Sequence, residues 1–590
     1  MIPLSFAQRR MWLLHQLEGG SETWNMPTAF RLTGSLDQAA LTAAIRDVVD
    51  RHEILRTLYV TNDDGELHQR ILPTAEAAPE VPVVDVPPED VAGAVDEAIA
   101  HRFDLSAELP VRVRLFRCSP QEHVLVLVVH HIASDGSSGA PLARDLAAAY
   151  TARREGRAPA WEPLPVQYKD YTMWQRELLG DVSDPNSLAA RQVEYWREEL
   201  AGVPQPLNLP LDRPRPAQRS SEGAMVGLLV EPEVATGLQK LADERGATMS
   251  MVLHAGLAVL LRKLGGGDDV TIGSPIAGRT DEALADLVGF FANTQVLRAD
   301  LSDNPSFTEL LAQVRRKALT AYEHQDVPFE MLVELINPDR SAAYQPLFQV
   351  MFAWHNFAKQ DLELPGLQVE FEQSRASTAM FDLFFNMAKD DEGALRGDLQ
   401  YATELFDRDT AEAIAARFAR VLEQLVADPT APVGAVDVLA EEERDWLVRE
   451  VNDTAHPVAE ETLPGAFEAQ VRRAPERVAL IGEQGRLTYE ELNRRANQLA
   501  HWLVEQGAGP EQLVAVRIPR SVDLMVGIYA VVKAGAAYVP VEPDSPEHRV
   551  RHVLESAKLL LVLEEALPDV SGYPETNPER ALSPDNAAYV

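Results

Sequence analysis

Cysteine is almost missing from this sequence: Cys118 is the only one in 590 residues. One thiol forms no internal disulfide and no multi-cysteine metal knuckle, so no metal site is expected. A reducing compartment fits that usage, and the cytoplasm is the expected location. Basic residues are also scarce, with 54 lysines and arginines against 91 aspartates and glutamates and a formal net charge of −37. A surface of that sign repels phosphate backbones and anionic membranes, so neither nucleic acid nor membrane is expected as a partner; solubility is its simplest use. No stretch reaches the ~18 uncharged apolar residues of a membrane span. The opening MIPLSFAQRRMW lacks the basic-then-apolar pattern of a secretion signal. Short repeats and low-complexity segments are absent too. What remains is ordinary globular composition, 46% hydrophobic and 25% charged. At ~100–200 residues per domain the length predicts several packed units.

Apolar periodicity gives the organisation. Ser5 and Gln8 have capping-box spacing ahead of Met11, Trp12 and Leu14, which predicts an opening helix. Leu41–His52 reads as a second helix, and the acidic, proline-rich 75–91 as surface strand and loop. Val124–Val129 is a continuous β-branched run and predicts a strand buried on both faces. A turn at Ala133–Gly136 and a helix over Leu142–Arg153 follow. After the proline-rich crossing 207–219, strands at Val270–Ser274, Phe348–Trp354 and Leu367–Phe371 alternate with helices at Ser250–Leu264, Ser306–His324 and Ala411–Val426. Residues 428–461 read as linker around a short helix. The texture then changes to helix (Leu487–Val504), strand (Gln512–Ile518) and apolar helix (Val522–Ala534).

The polar cluster at the end of the buried strand carries the chemistry. His130, His131, Asp135 and Gly136 spell HHxxxDG. Side chains alternate along a strand, so the two histidines point apart, which disfavours both binding one metal. Asp135 lies beyond the strand end, within reach of a histidine or an arginine. Gly136 permits close approach of a ligand or a positive φ. A neutral imidazole (pKa ~6.5) is matched to an α-amine (~7.7) attacking a carbonyl. Positioning the amine would serve as well, and a pair of structural histidines beside a turn has the same spacing.

Seven motifs in order are similar to those of condensation domains of nonribosomal peptide synthetases. They are Ser5-Phe-Ala-Gln-Arg-Arg-Met-Trp12, Arg51-His-Glu-Ile-Leu-Arg-Thr57, His130-His-Ile-Ala-Ser-Asp-Gly136, Tyr168-Lys-Asp-Tyr-Thr-Met-Trp174, Val288-Gly-Phe-Phe-Ala-Asn-Thr-Gln295 with Arg298, His324-Gln-Asp-Val-Pro-Phe-Glu330, and Arg340 with Pro346-Leu-Phe-Gln-Val350. The resemblance implies an α/β fold of two chloramphenicol-acetyltransferase-like lobes in a V, with a tunnel between them. The first lobe is expected over 1–178, the second over 179–440 and a linker over 441–462. It also implies amide formation between a donor acyl or peptidyl thioester and the α-amine of an acceptor aminoacyl thioester. Both would ride on phosphopantetheine arms, with no covalently bound cofactor. The expected partners are an upstream donor carrier, a downstream acceptor carrier and an adenylation domain, with the chain itself a monomer. His131 would orient or deprotonate the amine and His130 would be its packed neighbour. Asp135 would be structural, paired with Arg279 as first candidate and Arg56 as second, and the Gly136 amide would help hold the oxyanion. Ser137, where many relatives carry tryptophan, and Asn293 are expected on the cleft wall. Ser5–Pro27, with Trp24 and Asn25, resembles the subclass that accepts L-configured donors; heterocyclising and epimerising subclasses differ at the histidine motif.

Residues 463–590 resemble the start of an adenylation N-terminal subdomain, through Leu487-Thr-Tyr-Glu-Glu-Leu492 and Lys533-Ala-Gly-Ala-Ala-Tyr-Val-Pro540, with Glu542 where aspartate is usual. No phosphate loop follows within the sequence, so this partial domain is expected to be inactive. Two rival readings are a coenzyme A-dependent acyltransferase and a catalytically silent carrier-docking module.

Overall fold

The computed structural model describes the chain except residues 18, 21, 63, 337–340, 356–361, 373–377, 458–459 and 484. Arg340 of the seventh motif therefore lies outside the described residues. Two compact units emerge, Met1–Arg444 and Asp445–Val590.

The first unit holds two main sheets. One has five strands in the order Leu367–Phe371, Asn25–Gly34, Glu122–His130, Val111–Ser119, Val83–Asp85. The histidine-bearing strand is central, paired antiparallel with both neighbours, and from His123 to His130 only Leu127 is not fully buried. That is why its sequence is a run of Val and Leu rather than an alternation. Helices Gln38–Arg51 and Gly139–Arg154 pack on each other and share its apolar core. The second sheet has six strands, in the order Asn293–Asp300, Asp269–Ile276, Val350–His355, Leu383–Lys389, Leu395–Ala402, Gly223–Val230. Its core helix, Met249–Leu261, is buried at every residue but Ser250, so it is apolar all round. Among the described residues no single helix is long and apolar enough to cross a membrane.

Capping spacings read from the sequence become hydrogen bonds. The Ser5 N–H donates to Gln8 Oε1 and the Gln8 N–H to Ser5 Oγ, each at 3.1 Å, at the start of helix Phe6–Leu17. Ser306 with Glu309 and Thr488 with Glu491 do the same for Phe307–Glu323 and Tyr489–Glu505.

Two expectations need correcting. Leu367–Phe371, placed by sequence position in the second lobe, instead forms the edge strand of the first sheet, in register with Phe30–Gly34. Arg31 fastens that edge, its Nε donating to Glu372 at 2.8 Å. One strand of the first sheet thus comes from far beyond residue 178. The linker also begins later than its composition suggests. Val433 and Val436 are buried in the core beside the second sheet, whereas Trp446 is 52% exposed and Leu447 and Val448 are exposed as well.

The second unit pairs Val478–Gly482 with Gly485–Thr488 and stacks a parallel sheet in the order Ala537–Pro540, Leu513–Arg517, Leu561–Glu564. Helix Val522–Lys533 crosses over that sheet and ends in a buried Lys533, whose ammonium donates to Glu468 and, at 3.2 Å, to Asn577 Oδ1.

Candidate active site

The strand ends at His130 and the chain turns through two short 3₁₀ segments, His131–Ala133 and Gly136–Ser138. The alternation that separates the two histidines thus coincides with the end of the sheet. His130 is fully buried, its ring edge-on to His15 at 5.1 Å and to Phe103 at 5.8 Å. Its Nδ1 accepts from the Ile132 amide at 3.1 Å. Burial, reinforced by His15 and His131, pushes the His130 imidazole well below its usual pKa, so it is neutral packing.

His131 faces the other way, half-buried. Its Nδ1 lies 2.7 Å from the Ser134 carbonyl oxygen. A carbonyl only accepts, so Nδ1 carries the proton and the neutral ring keeps its Nε2 lone pair free to accept another. The ring packs 4.6 Å from Phe290 and 6.5 Å from Trp24. Trp24 arrives there because Asn25 pairs with His130, which places the preceding residue beside His131. Asn25 anchors that register, donating at 2.7 Å to the Ile99 and His101 carbonyls.

Asp135 is 2% exposed and receives six hydrogen bonds. Arg279 grips it with both terminal nitrogens, at 2.8 and 2.9 Å. Ser138 gives its amide at 3.0 Å and its hydroxyl at 2.8 Å. The amides of Phe291 and Ala292 give 3.0 and 3.2 Å. Arg279 also lies 4.4 Å over the Phe291 ring. One carboxylate thus staples the histidine turn to the segment between strands Asp269–Ile276 and Asn293–Asp300. Arg56, the second candidate, is held elsewhere by the Leu72 carbonyl at 2.5 Å and Glu53 at 3.6 Å.

Gly136 is exposed, and a Cβ added there would meet nothing within 4 Å. Its φ is not positive, so the left-handed reason for glycine falls away and open space for a ligand remains. Asn293 lines the cavity, but its amide is fully committed. It donates to the Gln325 and Val327 carbonyls, both at 2.9 Å, and accepts from the Thr294 and Phe329 amides. Ser137 is half-buried on the turn and does not line that cavity.

The cavity in front of His131 measures about 230 Å³. A larger hollow of about 980 Å³, beside Phe30 and Trp161, contains none of the site residues. Other motifs converge behind the cavity wall. Tyr168 donates to the Phe290 carbonyl at 2.7 Å and meets Ser5 Oγ at 3.0 Å. Gln8 Nε2 bonds the Tyr59 hydroxyl at 3.1 Å and the Ile132 carbonyl at 3.4 Å. Arg51 and His52 both reach Asp145, on the helix that follows the turn, at 2.8 and 2.9 Å. Sequence reasoning missed Tyr59, Asp145 and Ser138. Only Ser138 had a signal, the three-residue capping interval from Asp135.

The Condensation domain family model matches residues 1–448 and that of AMP-binding enzyme matches 467–585. The chain is 45% identical to a dimodular nonribosomal peptide synthase of Bacillus subtilis (strain 168) over its whole length, yet spans only 26% of that relative. It resembles the X-domain crystallised with OxyB from teicoplanin biosynthesis, at 38% identity, TM-score 0.70, over 75% of this chain and 96% of that one. A four-domain nonribosomal peptide synthetase bound to AMP and glycine shares the fold at TM-score 0.81 and 23% identity, over 96% of this chain and 43% of the other. Residues 1–448 make the chain a member of the condensation-domain family of nonribosomal peptide synthetases, followed by the beginning of an AMP-binding domain.

Proposed function

We propose that the first unit joins two carrier-bound substrates by an amide bond, with His131 as the group that meets the attacking amine. The acceptor nitrogen adds to the donor thioester carbonyl, its proton passes to His131 Nε2, the C–S bond breaks, and the proton ends on the departing pantetheine thiol. The observation that carries this is the 2.7 Å bond from His131 Nδ1 to the Ser134 carbonyl, which leaves Nε2 as an acceptor in an aromatic-walled cavity. Asp135 and Arg279 hold the turn in place, and the open backbone at Gly136 leaves its amide to the oxyanion. The thioesters are delivered by phosphopantetheine arms from an upstream donor carrier and a downstream acceptor carrier. The resemblance of Ser5–Pro27, with Trp24 and Asn25, to the subclass that accepts L-configured donors supports a donor of L configuration. The 463–590 segment does not activate an amino acid by itself.

A single-turnover assay with both loaded carriers tests the reading. Amide product that depends on His131 supports it; product from coenzyme A thioesters without carriers would favour a free-standing acyltransferase. The likeness to an X-domain crystallised with OxyB favours one second reading, a module that binds partners without catalysis. No product from two competent loaded carriers would favour that reading.

A further inference from the structure

We infer that the second-sheet wall of the His131 cavity is a subsite for one apolar side chain of up to aromatic size, carried by the residue whose carbonyl or amine reacts. The inference rests on the proposed condensation at His131 for its placement, but not for the existence of the subsite. Strand periodicity builds the wall. Leu383, Phe385 and Met387 of one strand and Val350 and Phe352 of its neighbour point into the core under the helices. The alternate residues Phe384 and Met351 therefore face the opposite side, where both line the cavity. Phe348, Phe381, Met380 and Phe329 complete that wall. Methionine adapts to varied apolar shapes and aromatic rings offer edges and faces, so the lining suits a flat or branched hydrocarbon.

Arg10, Glu330, Arg219 and Asn293 on the same lining are engaged with the protein. Arg10 pairs with Glu330 at 2.8 Å and lies 5.3 Å over the Phe329 ring. Arg219 donates to the Met380 carbonyl at 2.7 Å, and the Asn293 amide is committed on both atoms. A charged substrate side chain entering here would give up water and have to compete with these existing bonds for a partner. Size sets the other limit. About 230 Å³ is below the ~300 Å³ at which drug-sized pockets begin, so the cavity suits one side chain with its reacting carbonyl. Selection by such a wall is expected at tenfold or more between an apolar and a charged residue.

Calorimetry on the 590-residue chain with glycyl-, phenylalanyl- and aspartyl-pantetheine amides reads the subsite without turnover. The phenylalanyl amide is expected to bind at least tenfold tighter than the other two. Phe384→Glu, at a half-buried ring packed against Phe381 on that wall, should erase that preference. Met380→Ala, with an unchanged melting temperature, should reduce the preference partly. Equal affinities for the three amides, or a preference indifferent to both variants, would overturn the inference. Single-turnover reactions then tell the sources apart. Phenylalanine against aspartate is varied on the donor carrier with a glycyl acceptor, and then on the acceptor carrier with a glycyl donor. A tenfold bias in one arm names the occupant, and equal rates in both arms would also overturn the inference. Binding preference without any condensation would sink the catalytic reading and leave the subsite standing.

Discussion

Replacing Asp135 by alanine removes the one anion among the described residues that pairs with Arg279, whose side chain is 8% exposed. It also strips the Phe291 and Ala292 amides of their acceptor. Breaking a buried pair from one side costs ~3–5 kcal/mol. Arg279 keeps Ser138 Oγ at 3.0 Å and the Leu287 carbonyl at 3.2 Å, which favours the lower end, about 3 kcal/mol. Unfolding entropy of ~2.1 cal/mol/K per residue amounts to roughly 0.9 kcal/mol/K for a unit spanning Met1–Arg444, so the melting temperature should fall by about 3 °C. Rate should fall further than stability, because the staple also fixes the turn that aims His131, and a shift of ~1 Å can cost ~100-fold. Asp135→Asn should land between wild type and alanine. Its shape is kept, but one oxygen becomes an NH₂ group facing donors on either side, at ~1–3 kcal/mol for the groups left unpaired. Calorimetric melting and single-turnover condensation on the same preparations check both effects. A melting temperature unchanged within 1 °C for alanine, with a normal rate, would refute the staple.

His131→Ala should lower condensation by ~10²–10⁴-fold with unaltered circular dichroism and melting temperature. Gln8→Ala, which removes the amide from the Ile132 carbonyl and the Tyr59 hydroxyl and leaves them the 3.3 Å bond between them, should cost ~1–2 kcal/mol by denaturant titration and slow condensation through the displaced turn. His254 is buried against Phe352, and burial, opposed by a hydrogen bond with the Ile272 backbone, lowers its pKa to about 4. Between there and the unfolded value of ~6.5 the unfolded chain binds the extra proton, so stability is full above ~6.5 and falls on acidification by roughly 3 kcal/mol in total; His254→Leu should flatten that slope in melts from pH 7 to pH 4. The 590-residue chain should show only background ATP–pyrophosphate exchange with every amino acid, and condensation should persist when the chain is cut after Arg444, both checked by radiolabel and product assays.

Local physics accounts for what could be read from sequence. The Ser5 and Gln8 cap, the buried histidine strand and the apolar helix within Ser250–Leu264 each announce themselves through neighbours in the chain, and each occurs within a few residues of its expected bounds. The Leu367–Phe371 strand was equally legible, but its sheet was not. Nothing in five alternating residues says which of two edges they will join, and the contacts that accompany the choice, such as Arg31 with Glu372, lie far apart in sequence. The site divides the same way. The HHxxxDG spacing at a strand end fixes that the two histidines point apart, because the strand period does so, while the resemblance implied which of them is packed. It leaves the tautomer of His131 open, because that depends on how the backbone turn presents the Ser134 carbonyl. Arg279 against Arg56 was likewise undecidable from charge alone. Both are arginines near motifs; Arg56 is already engaged by Glu53 three residues away and by the Leu72 carbonyl, whereas Arg279 has no close sequence neighbour that takes its fork as Asp135 does. A long-range buried carboxylate therefore selects the arginine left over by local pairing. With six bonds converging on it, Asp135, rather than either histidine, is the residue on which the shape of the whole turn depends.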